Sequence, residues 1–588
     1  MAKTKAPARK PADLEPMRHS LAHVLAMAVL DMFPEAKLGI GPATDDGFYY
    51  DFDLPRTLIP EDLPILEKKM RKIVKQSLGF EGTEVPPKEA IDTLKAAGQP
   101  YKVELAEEFA QAKGPTTFYK TGSFTDLCRG GHVKSTKEIG AFTLTRIAGA
   151  YWRGDESRPQ LQRIYGVAFA SQEELDAYLE QQAELATRDH RKLGPELELF
   201  HLDQTAPGMP YWLPKGMVII NTLLDFWRKE HSQQGYQEIS APIVNKKELW
   251  EQSGHWDHYK EEMFIAPIDE DNTYGVKPMN CPNAMVVFGL KSRSYRDLPL
   301  RLSDCDALHR NERSGTLHGL LRVQSFRQDD SHNFVEESQI EDEYKRILEI
   351  ADRFYHVFGL SYSLRLGTRP EKFLGDSKTW DKAEAALRQV LDNHAGNYQI
   401  LDGDGAFYGP KVDILMKDVL GREWQMGTIQ LDFQLPQRFG LKYSAADGSE
   451  RTPVVIHRVI YGSLERFIGI LIEHFAGAFP LWLSPEQARV LPIADRHNEY
   501  AASVAASMRE AGLRVSVDDR AESVGKKIRE AEVEKTPYML VVGDKEAKAG
   551  SVALRSYHQG DRGTKQTATV AKQLAKEAAD RALPKTAS

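Results

Sequence analysis

The spacing of hydrophobic and polar positions changes several times along the chain, and each change predicts a separate folding unit. From Arg18, apolar residues recur at helical spacing through LAHVLAMAVLDMF until Pro34 ends the pattern, which predicts an early helix. Short strand-like runs such as GFYYDFD and LQRIYGVAFA, with one charged helix near 61–76, follow up to about residue 170. Residues 17–170 are therefore predicted to form an α+β domain.

A single helix is predicted to link this domain to the rest of the chain. Ser171 followed by Glu174 has the spacing of a capping box, in which each side chain bonds to a backbone N–H of the other end. Apolar residues then recur at helical spacing, and Gly194-Pro195 is a stop signal. We therefore expect a linker helix over residues 171–195.

The remainder of the chain divides into a long mixed region and a shorter, regularly alternating one. Residues 196–484 alternate long helical patterns with β-rich runs such as FYGPKVDILMKD and REWQMGTIQLDF without a βαβ rhythm, which predicts an antiparallel sheet flanked by helices. In residues 485–588 the runs RVLPIAD, RVSVDD and YMLVVGD alternate with helical segments, which predicts a small α/β domain. Residues 1–16 are rich in Lys, Ala and Pro without apolar periodicity, and we expect a disordered basic start.

Composition is that of an ordinary globular protein and excludes several classes. At 588 residues the chain is too long for a single core, and domains of usual size predict about three or four. No apolar run reaches the roughly 18 to 20 residues of a membrane span, and no signal peptide opens the chain, so we expect no membrane attachment. Three cysteines are too few for a disulfide framework, which favours a reducing cytoplasm.

Charge alone leaves nucleic-acid binding open. The net charge of −8 argues weakly against it, but local basic clusters rather than global charge decide such binding. Lys and Arg cluster near 68–75, 188–192 and 526–529, and each cluster by itself is more often a solvated helix face.

Three residues far apart in sequence carry the most specific chemistry: Cys281 in KPMNCP, His332 in RQDDSH and His457 in VVIHRVIYGSLER. Their spacings form no local zinc signature, and a buried Cys or a core His would be the ordinary interpretation of each. The stretches LHRNERSGTLHGLLRVQSFRQDDSH and GSLERFIGIL, with TRPEKFLGD, GAFYGPK and GTIQLDFQLPQRF between them, resemble the motifs of class II aminoacyl-tRNA synthetases. With the Cys and the two His residues added, the chain is similar to the threonyl-tRNA synthetases over about residues 17–557.

The resemblance implies an ATP site. Arg310 would hold the α-phosphate and the amino acid carboxylate, because a planar guanidinium grips oxygen pairs bidentately. Glu312 would contact adenine, and Arg466 would lie under the γ-phosphate of ATP bound with Mg²⁺. The implied nucleotide contacts are Arg310, Glu312, Arg322, Phe326, Gln425, Thr428 and Arg466, of which Arg310, Arg322 and Arg466 would be catalytic. Taken alone, any one of these arginines would more often make a surface salt bridge.

The resemblance also implies that Cys281, His332 and His457 bind one zinc ion per subunit. Three protein ligands leave a tetrahedral zinc open for substrate, and threonine could fill it through its amino group and β-hydroxyl. Valine has the same shape without the hydroxyl, and a site built on a polar contact rejects such an analogue by about 10⁴-fold. The residues implied around the threonyl group are Gln328, Asp330, Tyr408, Lys411 and Gln430. The remaining cysteine of this domain, Cys305, is interpreted as an ordinary buried thiol.

Serine carries the same hydroxyl, and one methyl group is worth only about 1–3 kcal/mol of binding, so a second site has to hydrolyse seryl-tRNA. His19 and His23 lie four apart on one predicted helix face, and Cys128 and His132 lie four apart in FTDLCRGGHV. On ligand chemistry alone these four residues would be a second zinc site. The resemblance implies instead an editing site that, with Asp126, binds the terminal adenosine and positions a hydrolytic water without metal. A related alanyl-type domain uses metal, so both alternatives stay open.

The resemblance places anticodon recognition in the last domain, where Glu546 and Arg555 in GDKEAKAGSVALRSY match base-contacting positions. A surface ion pair on neighbouring strands is the alternative. The chain departs from the family at three positions: Asn283-Ala284 stand where a His is common, Gly131 replaces a usual Pro, and Ala521 replaces a usual Asn. Only about seventeen residues precede the HxxxH domain, so we expect the small ubiquitin-like domain of many threonyl enzymes to be absent.

Together these expectations describe an α+β multidomain chain with a class II antiparallel-sheet catalytic core, an α+β editing domain and an α/β anticodon-binding domain. We expect a cytoplasmic homodimer, with Pro242 in SAPIV at the dimer interface, that uses ATP to ligate L-threonine to tRNA(Thr). A prolyl- or seryl-type synthetase is one rival, and it lacks the combination of zinc triad and HxxxH/CxxxH domain. A synthetase-like RNA-binding regulator without catalysis is another, and intact Arg310, Glu312 and Arg466 argue against it.

Overall fold

The computed structural model describes residues 11–111, 116–155, 157–269, 272–394, 396–417 and 422–584. The chain divides into two compact units, Met1–Glu184 and Leu185–Ser588, which are described separately below. Within the described ranges no helix is both long and apolar enough to cross a membrane.

The first unit is an α+β domain built on one long helix and two antiparallel sheets. Helix Pro11–Met32 packs against helix Asp62–Val74 and strand Gly47–Asp53. The larger sheet has the strand order Lys37–Leu38, Gly47–Asp53, Gln160–Phe169 and Ala141–Tyr151, and the smaller one has Glu81–Val85, Thr116–Thr121 and Phe124–Leu127. Two further helices are Pro87–Ala96 and Pro100–Gln111. The predicted α+β class of this domain is confirmed.

The long helix begins earlier than the hydrophobic pattern predicts. Residues 11–16, assigned to the disordered start, lie in helix Pro11–Met32, so the prediction is wrong for them. Leu14 and Met17 are only 6% and 5% exposed, so burial of apolar side chains extends the helix towards the N-terminus in spite of Pro16. Residues 1–10 of the predicted disordered start lie outside the described residues.

Two helices occupy the segment predicted as a single linker helix, so that prediction is wrong. Helix Gln172–Arg188 begins at the predicted capping box, where the backbone N–H of Glu174 donates to Ser171 Oγ at 3.2 Å. A second helix, His190–Glu196, begins after Asp189, whose carboxylate accepts from the backbone N–H two residues on at 2.8 Å. This Asp cap interrupts the first helix, and the predicted stop signal consequently lies inside the second one.

An eight-stranded sheet forms the centre of the second unit. Its strand order is Tyr236–Glu238, Leu300–Asp304, Asp330–Val335, Val454–Val459, Glu423–Asp432, Lys411–Lys417, Ser361–Gly367 and Tyr398–Leu401. Neighbouring strands are antiparallel except at the two edges, where the outermost pairs are parallel. The predicted antiparallel sheet is therefore confirmed, with parallel pairing added at both edges.

Helices and short strands surround this sheet. The helices are Pro214–Gln233, Lys247–Ser253, His255–Tyr259, Cys281–Gly289, Ile340–His356, Ser377–His394, Leu435–Arg438 and Leu464–His474. The short paired strands are Phe200–His201 with Tyr211–Trp212, Val244–Lys246 and Ile265–Pro267 with Thr273–Val276, Arg293–Ser294 and Glu450–Arg451 with Tyr443–Ser444, and Ala307–His309 with Ser325–Arg327.

The two faces of the eight-stranded sheet differ in chemistry. On one face, alternate residues such as Ile429 and Ile456 belong to a single hydrophobic core with helices Ile340–His356 and Leu464–His474. Because side chains alternate between faces along a strand, the residues between them point the other way. Those residues are largely polar, so the opposite face is available for chemistry.

One row of residues crosses the polar face. His332 pairs in register with His457, His457 with Gln430, and Gln430 with Lys411. Residues opposite one another on neighbouring strands have Cβ atoms only about 5 Å apart and share a face. The register therefore brings four residues, each predicted as a site residue and separated by up to 125 positions, into one line.

The last domain is built on a five-stranded sheet with the order Val515–Val517, Ala488–Pro492, Tyr538–Val542, Ser551–Ser556 and Gly560–Gln566. The first three strands are parallel, as the predicted βα units require, and the last two form an antiparallel hairpin that the pattern does not show. Its helices are Asn498–Glu510, Val524–Val533, Asp544–Ala549 and Thr567–Ala579. The predicted α/β class is confirmed.

Candidate functional sites

The three predicted zinc ligands lie together on the polar face of the eight-stranded sheet, and we call Cys281, His332 and His457 the central cluster. The two imidazole rings come from neighbouring strands and meet nearly at right angles, with ring centroids 4.9 Å apart. Cys281 is the first residue of helix Cys281–Gly289, which begins beside the pair. One ligand atom from each residue lies within 4.8 Å of the others, and all three side chains are buried.

The donor atoms of the central cluster fit a metal ion. Among the described residues, neither ring nitrogen of His332 has a hydrogen-bond partner, and nor does Nδ1 of His457. Buried polar atoms without partners are rare in folded proteins, and a bound cation would satisfy one nitrogen of each ring. His457 Nε2 lies 2.9 Å from Asp432 Oδ2, the contact by which a carboxylate orients a ligating imidazole. Burial lowers the pKa of His332 well below its usual value, so this ring is neutral and able to ligate.

The thiol of the central cluster needs a cation to ionise. Burial, with Asp330 and Asp432 nearby, raises the pKa of Cys281 well above its usual value. Zinc binds the thiolate, and a bound dication reverses this shift by favouring the charged sulfur. One soft sulfur and two imidazole nitrogens form the donor set of a three-ligand zinc site.

Two of the predicted threonyl-contact residues adjoin the central cluster directly. The hydroxyl of Tyr408 donates to Gln430 Oε1, and the Tyr408 ring centroid lies 5.2 Å from that of His457. Gln430 is the register partner of His457. A phenol and an amide next to the histidine pair can orient a small polar substrate.

The other predicted threonyl contacts differ in where they lie relative to the polar face of the sheet. Asp330 accepts from Asn280 Nδ2 at 3.2 Å, and burial raises its pKa. Lys411 ends the polar row, next to Gln430. Gln328 lies outside the row and makes a single backbone bridge with Ser463. The structure thus brings Asp330 and Lys411 to the polar face and places Gln328 at its edge.

Most of the predicted nucleotide contacts lie in or beside the loop 310–324, which connects two short paired strands and which we call the nucleotide loop. The guanidinium carbon of Arg310 lies 5.1 Å from the ring centre of Phe326. Glu312 Oε2 accepts from Arg322 Nε at 3.0 Å and from Arg322 Nη2 at 2.8 Å. A cavity of about 960 Å³ opens beside Glu312 and Arg322, large enough for a nucleotide.

Arg466 lies in the first turn of its helix and reaches the same loop. Its Nε donates to Leu321 O at 2.9 Å, and its Nη1 donates to Gln425 O at 3.0 Å. Burial, together with the neighbouring charges of Arg310 and Arg322, lowers the pKa of Arg466. The fold holds three mutually repelling arginines together, and a polyphosphate would relieve that repulsion.

A buried carboxylate that sequence reasoning missed joins several of the predicted residues. Asp413 is fully buried, and its Oδ1 accepts from Gln425 Nε2 at 2.7 Å and from Thr428 Oγ1 at 3.4 Å. Its Oδ2 lies 3.1 Å from Lys411 Nζ and 3.0 Å from Arg365 Nη2. Its sequence signal is a lone Asp inside the apolar run KVDILM, since a charge on a buried strand requires partners.

The second predicted cluster lies inside the first unit, and we call His19, His23, Cys128 and His132 the first-unit cluster. One ligand atom of each residue lies within 4.8 Å of the others. Cys128 Sγ is 3.3 Å from His19 Nε2 and 3.4 Å from His132 Nε2. Burial lowers the pKa of His132 to about 2 and raises the pKa of Cys128 to about 11, so both groups are neutral at pH 7. A cavity of about 470 Å³, lined in part by His19, His23 and Cys128, adjoins them.

A buried ion pair beside the first-unit cluster was not visible in the sequence. Asp126 and Lys102 are each 3% exposed, with Asp126 Oδ1 2.7 Å from Lys102 Nζ, and the Tyr50 hydroxyl donates to Asp126 Oδ2 at 2.5 Å. His23 Nε2 lies 3.9 Å from the same carboxylate, while its buried Nδ1 has no partner among the described residues. Lysines in helices mostly face solvent, so Lys102 carries no signal of its own. A buried cation and an unpartnered imidazole at a cavity can hold a polar ligand or a water.

The two predicted anticodon contacts lie in the last domain but not on neighbouring strands. Glu546 belongs to helix Asp544–Ala549, and its Oε2 accepts from Gly543 N at 3.1 Å, which caps that helix. Arg555 lies on the following strand, with its Nη2 3.6 Å from Glu532 Oε1. Arg555 therefore makes a surface ion pair, as the alternative predicts, but with a helix residue and not with a neighbouring strand.

The three departures from the family pattern have simple structural settings. Ala284 is fully buried in the helix of Cys281, and the neighbouring Asn283 donates from Nδ2 to Asn245 Oδ1 at 2.9 Å. Gly131 has φ of +85°, a conformation closed to proline, whose ring holds φ near −65°. Ala521 is exposed.

Comparison with known families matches three parts of the chain. Residues 259–475 match the tRNA synthetase class II core domain (G, H, P, S and T), which contains the central cluster and the nucleotide loop. Residues 487–577 match an anticodon binding domain. Residues 116–165 match the threonyl and alanyl tRNA synthetase second additional domain, which contains Cys128 and His132.

Individual relatives cover most of the chain. The threonine–tRNA ligase of Clostridium tetani (strain Massachusetts / E88) is 51% identical over 547 residues, which is 93% of this chain and 85% of the relative. The threonine–tRNA ligase of Caldanaerobacter subterraneus subsp. tengcongensis is 51% identical over 565 residues, covering 96% and 87%. Among solved structures, the RNA binding domain of threonyl-tRNA synthetase from Cryptosporidium parvum Iowa II has 42% identity and a TM-score of 0.64, covering 66% of this chain and 98% of that one. A prolyl-tRNA synthetase from the same organism, at 17% identity and a TM-score of 0.53 over 67% and 75%, shares the fold alone.

Proposed function

The chain belongs to the threonyl-tRNA synthetases, and from that membership we propose that it activates L-threonine with ATP and Mg²⁺, selects threonine with zinc, and hydrolyses seryl-tRNA(Thr) in its first unit. Relatives that are 51% identical over most of the chain are threonine–tRNA ligases, so the chain is an enzyme of this class. That identity decides against the prolyl and seryl rivals and against a regulator without catalysis.

The central cluster is the observation that carries the proposed selection of threonine. Its thiol and two histidines, with three ring nitrogens that lack partners among the described residues, offer three ligands and leave one side of the site open. Zinc, when bound there, supplies a Lewis-acid contact for the amino group and β-hydroxyl of the substrate. Tyr408 and Gln430 orient the amino acid beside it, and Asp330 offers a carboxylate to its ammonium group.

The arginines around the nucleotide loop supply the proposed activation step. A carboxylate oxygen of threonine attacks the α-phosphorus of ATP, the bond to the bridging oxygen breaks, and pyrophosphate leaves. Arg310 spreads positive charge over the α-phosphate and the attacking carboxylate, while Arg466 neutralises the leaving pyrophosphate. Glu312 contacts adenine, and Arg322 and Phe326 enclose the base beside the cavity that Glu312 and Arg322 line.

Replacing Arg466 with lysine is expected to lower adenylate formation by at least about 10²-fold, the cost of losing one preorganised donor. Two nitrogens of the guanidinium already hold Leu321 O and Gln425 O, and a single ammonium cannot keep both contacts and reach a phosphate. Threonine-dependent pyrophosphate exchange measures the change. Arg228→Lys is the matched control, because Arg228 forms a similar forked pair with Glu238 on the surface and should stay within about twofold. Near-normal exchange in Arg466→Lys would remove this residue from the step.

Asp413→Asn is expected to raise the KM for ATP at least about 10-fold, because it removes the charge that holds Gln425, Thr428 and Lys411 together. Weakening one buried hydrogen bond to a charged group costs about 1.5–3 kcal/mol, which corresponds to a factor of about ten or more. The measurement is pyrophosphate exchange at varied ATP. Asp404→Asn is the control, since Asp404 contacts Lys411 and Arg365 but neither Gln425 nor Thr428. Equal effects of the two variants would show that only the charge near Lys411 matters.

The first unit and the last domain complete the proposed cycle. In the first unit, His19, His23, Cys128 and His132, with Asp126, hold the terminal adenosine of a mischarged tRNA and position the water that cleaves the ester. In the last domain, Glu546 and Arg555 contact anticodon bases of tRNA(Thr), and both fall within the matched anticodon binding domain. We also propose domain boundaries at 170, 195 and 484, of which the second lies inside helix His190–Glu196.

We also propose a homodimer that works in the cytoplasm. Ile243 and Val244, next to Pro242, are 43% and 52% exposed, and apolar side chains gathered on a surface favour a protein partner. Sedimentation of the full chain tests the dimer, with a mass near twice 66.3 kDa expected. A concentration-independent monomer would contradict it.

Pyrophosphate exchange with each of the twenty amino acids tests the proposed specificity. Threonine is expected to support exchange, serine to support less, and valine to be rejected by about 10⁴-fold. Valine activation within tenfold of threonine would contradict selection by a metal-bound hydroxyl, even if threonine remains the best substrate.

A further inference from the structure

His190 lies behind the nucleotide loop, and both of its ring nitrogens are engaged. The ring is fully buried, with Nδ1 2.7 Å from Glu473 Oε1 and Nε2 3.0 Å from the backbone nitrogen of Leu320. Because the backbone N–H donates, Nε2 accepts, and the ring proton is on Nδ1, where it is donated to the carboxylate. With both nitrogens occupied, His190 is not available as a ligand of a cation beside Asp189 and Glu473.

The backbone group that His190 holds lies at the tip of the nucleotide loop. His318 and Arg322 form an isolated backbone bridge, so the chain reverses direction between them. Leu320 N is anchored to His190, and Leu321 O is anchored to Arg466 Nε at 2.9 Å. The residue that follows these two anchors is Arg322, one of the proposed catalytic arginines.

Packing around the ring leaves little room for an alternative arrangement. A Cβ on Gly319, which has φ of +51°, would lie 2.1 Å from His190 Nε2. A Cβ on Gly469 would lie 3.2 Å from the Leu320 Cβ and 3.6 Å from His190 Cδ2. Two glycines on different elements therefore let the loop, the imidazole and the helix of Arg466 approach one another closely.

We propose that His190 is a positioning residue for ATP. It connects helix His190–Glu196 and the C-terminal end of helix Leu464–His474 to the tip of the nucleotide loop. In this way it sets the position of Arg322. The inference rests on the proposed function in that ATP is taken to bind at this loop. His190 touches no reacting atom, and it acts through Leu320 N and Glu473. Misplacement of a binding group by about 1 Å can cost up to about 10²-fold in rate, so a single lost anchor at the loop tip has a measurable effect.

Two amide variants separate the two hydrogen bonds of the ring. Asparagine places its amide near the position of Nδ1, so His190→Asn keeps a donor to Glu473 and loses the acceptor for Leu320 N. Glutamine reaches the position of Nε2, so His190→Gln keeps an acceptor for Leu320 N. We expect His190→Asn to raise the KM for ATP about 10-fold and lower kcat, with the KM for threonine within about twofold, whereas His190→Gln stays within about threefold of wild type. Pyrophosphate exchange on the full chain, with ATP and threonine varied separately, measures the split.

A second variant approaches the same contact from the loop. Gly319→Ala pushes a methyl group against His190 Nε2 at a left-handed backbone position and should also raise the KM for ATP selectively. Thermal melting of each variant shows whether the fold survives. The proposal would be overturned by equal increases in the KM for ATP and the KM for threonine. It would also be overturned by an unchanged KM for ATP in both His190→Asn and Gly319→Ala, or by a His190→Gln variant as impaired as His190→Asn.

Direct titration of ATP by calorimetry separates this inference from the proposed function. If wild type binds ATP but supports no threonine-dependent exchange, the proposed function fails while the comparison of His190→Asn with wild type still decides the role of the residue. We expect ATP affinity to fall about 10-fold in His190→Asn and to change little in His190→Gln. An affinity unchanged in His190→Asn would overturn the positioning role whatever reaction the enzyme performs.

Discussion

Replacing Cys281 with alanine is expected to remove zinc from the full chain and to lower threonyl-adenylate formation by about 10⁴-fold, the discrimination available to a site built on one polar contact. The remaining His332 and His457 cannot hold a dication tightly, because zinc sites need at least three protein ligands. His332→Ala and His457→Ala should behave in the same way. Atomic spectroscopy of the purified chain and threonine-dependent pyrophosphate exchange are the two measurements.

Cys305→Ala is the matched control for this prediction. Cys305 packs against the large hydrophobic core of the sheet and lies outside the central cluster, so its loss should leave zinc content and exchange unchanged. Thermal melting of each variant separates loss of the metal from loss of the fold. If the three cluster variants keep one zinc per chain and normal exchange, the selection of threonine has to come from Tyr408, Gln430 and Asp330 alone.

The members of the central cluster could be predicted from sequence, but their geometry could not. Cys281, His332 and His457 stand in recognisable motifs, and the resemblance to one family assigned them to a single site. What places them together is the sheet register, in which His332 faces His457 and His457 faces Gln430. Strand pairing over 125 residues is a long-range property that local periodicity does not encode, so composition and spacing alone left a core histidine as the ordinary interpretation.

The residues that sequence reasoning missed are buried charges and a buried histidine. Lys102 and His190 sit in helices that also carry exposed polar residues such as Glu107 and Arg191, and only tertiary packing distinguishes them. Asp413 had a usable signal, since a single carboxylate in an apolar strand has to be paired. The linker was predicted as one helix because Gly194-Pro195 is a stronger stop signal than Asp189, yet Asp189 caps a new helix in the structure. In this segment the Asp189 side chain, which bonds a backbone N–H, decides where a helix begins, whereas the Gly194-Pro195 pair does not decide where the helix ends.

Changing His23 and Cys128 together to alanine is expected to abolish hydrolysis of seryl-tRNA while threonylation stays within about twofold. These residues belong to the first unit, outside the class II core, so the synthetic step should not depend on them. The variant should accumulate seryl-tRNA, because the proposed zinc site would favour threonine over serine by only the roughly 1–3 kcal/mol of one methyl group. Deacylation of preformed seryl-tRNA and threonyl-tRNA by wild type and variant is the measurement.

A lysine variant outside the cavity provides the control for this experiment. Lys37 forms an exposed ion pair with Asp53 in the same unit, so Lys37→Met should deacylate seryl-tRNA at the wild-type rate. Lys102→Met should lose most of the activity, since it leaves the buried Asp126 carboxylate beside His23 without its cationic partner. A Lys102→Met enzyme as active as Lys37→Met would separate this ion pair from the chemistry.

Zinc content distinguishes the two interpretations of the first-unit cluster that ligand chemistry left open. A hydrolytic site without metal predicts one zinc per wild-type chain, lost in Cys281→Ala and unaffected by Cys128→Ala. A metal site predicts two, of which one disappears with Cys128→Ala. Hydrogen-bond distances of 3.2 Å from His132 Nδ1 to Ser20 Oγ and of 3.3 Å from Cys128 Sγ to His19 Nε2 favour the first result, because these atoms already have partners, unlike the ring nitrogens of His332. If wild type holds one zinc yet fails to cleave seryl-tRNA, the cluster is structural, and the left-handed Gly131 marks a loop in which the hydrolytic geometry has been lost.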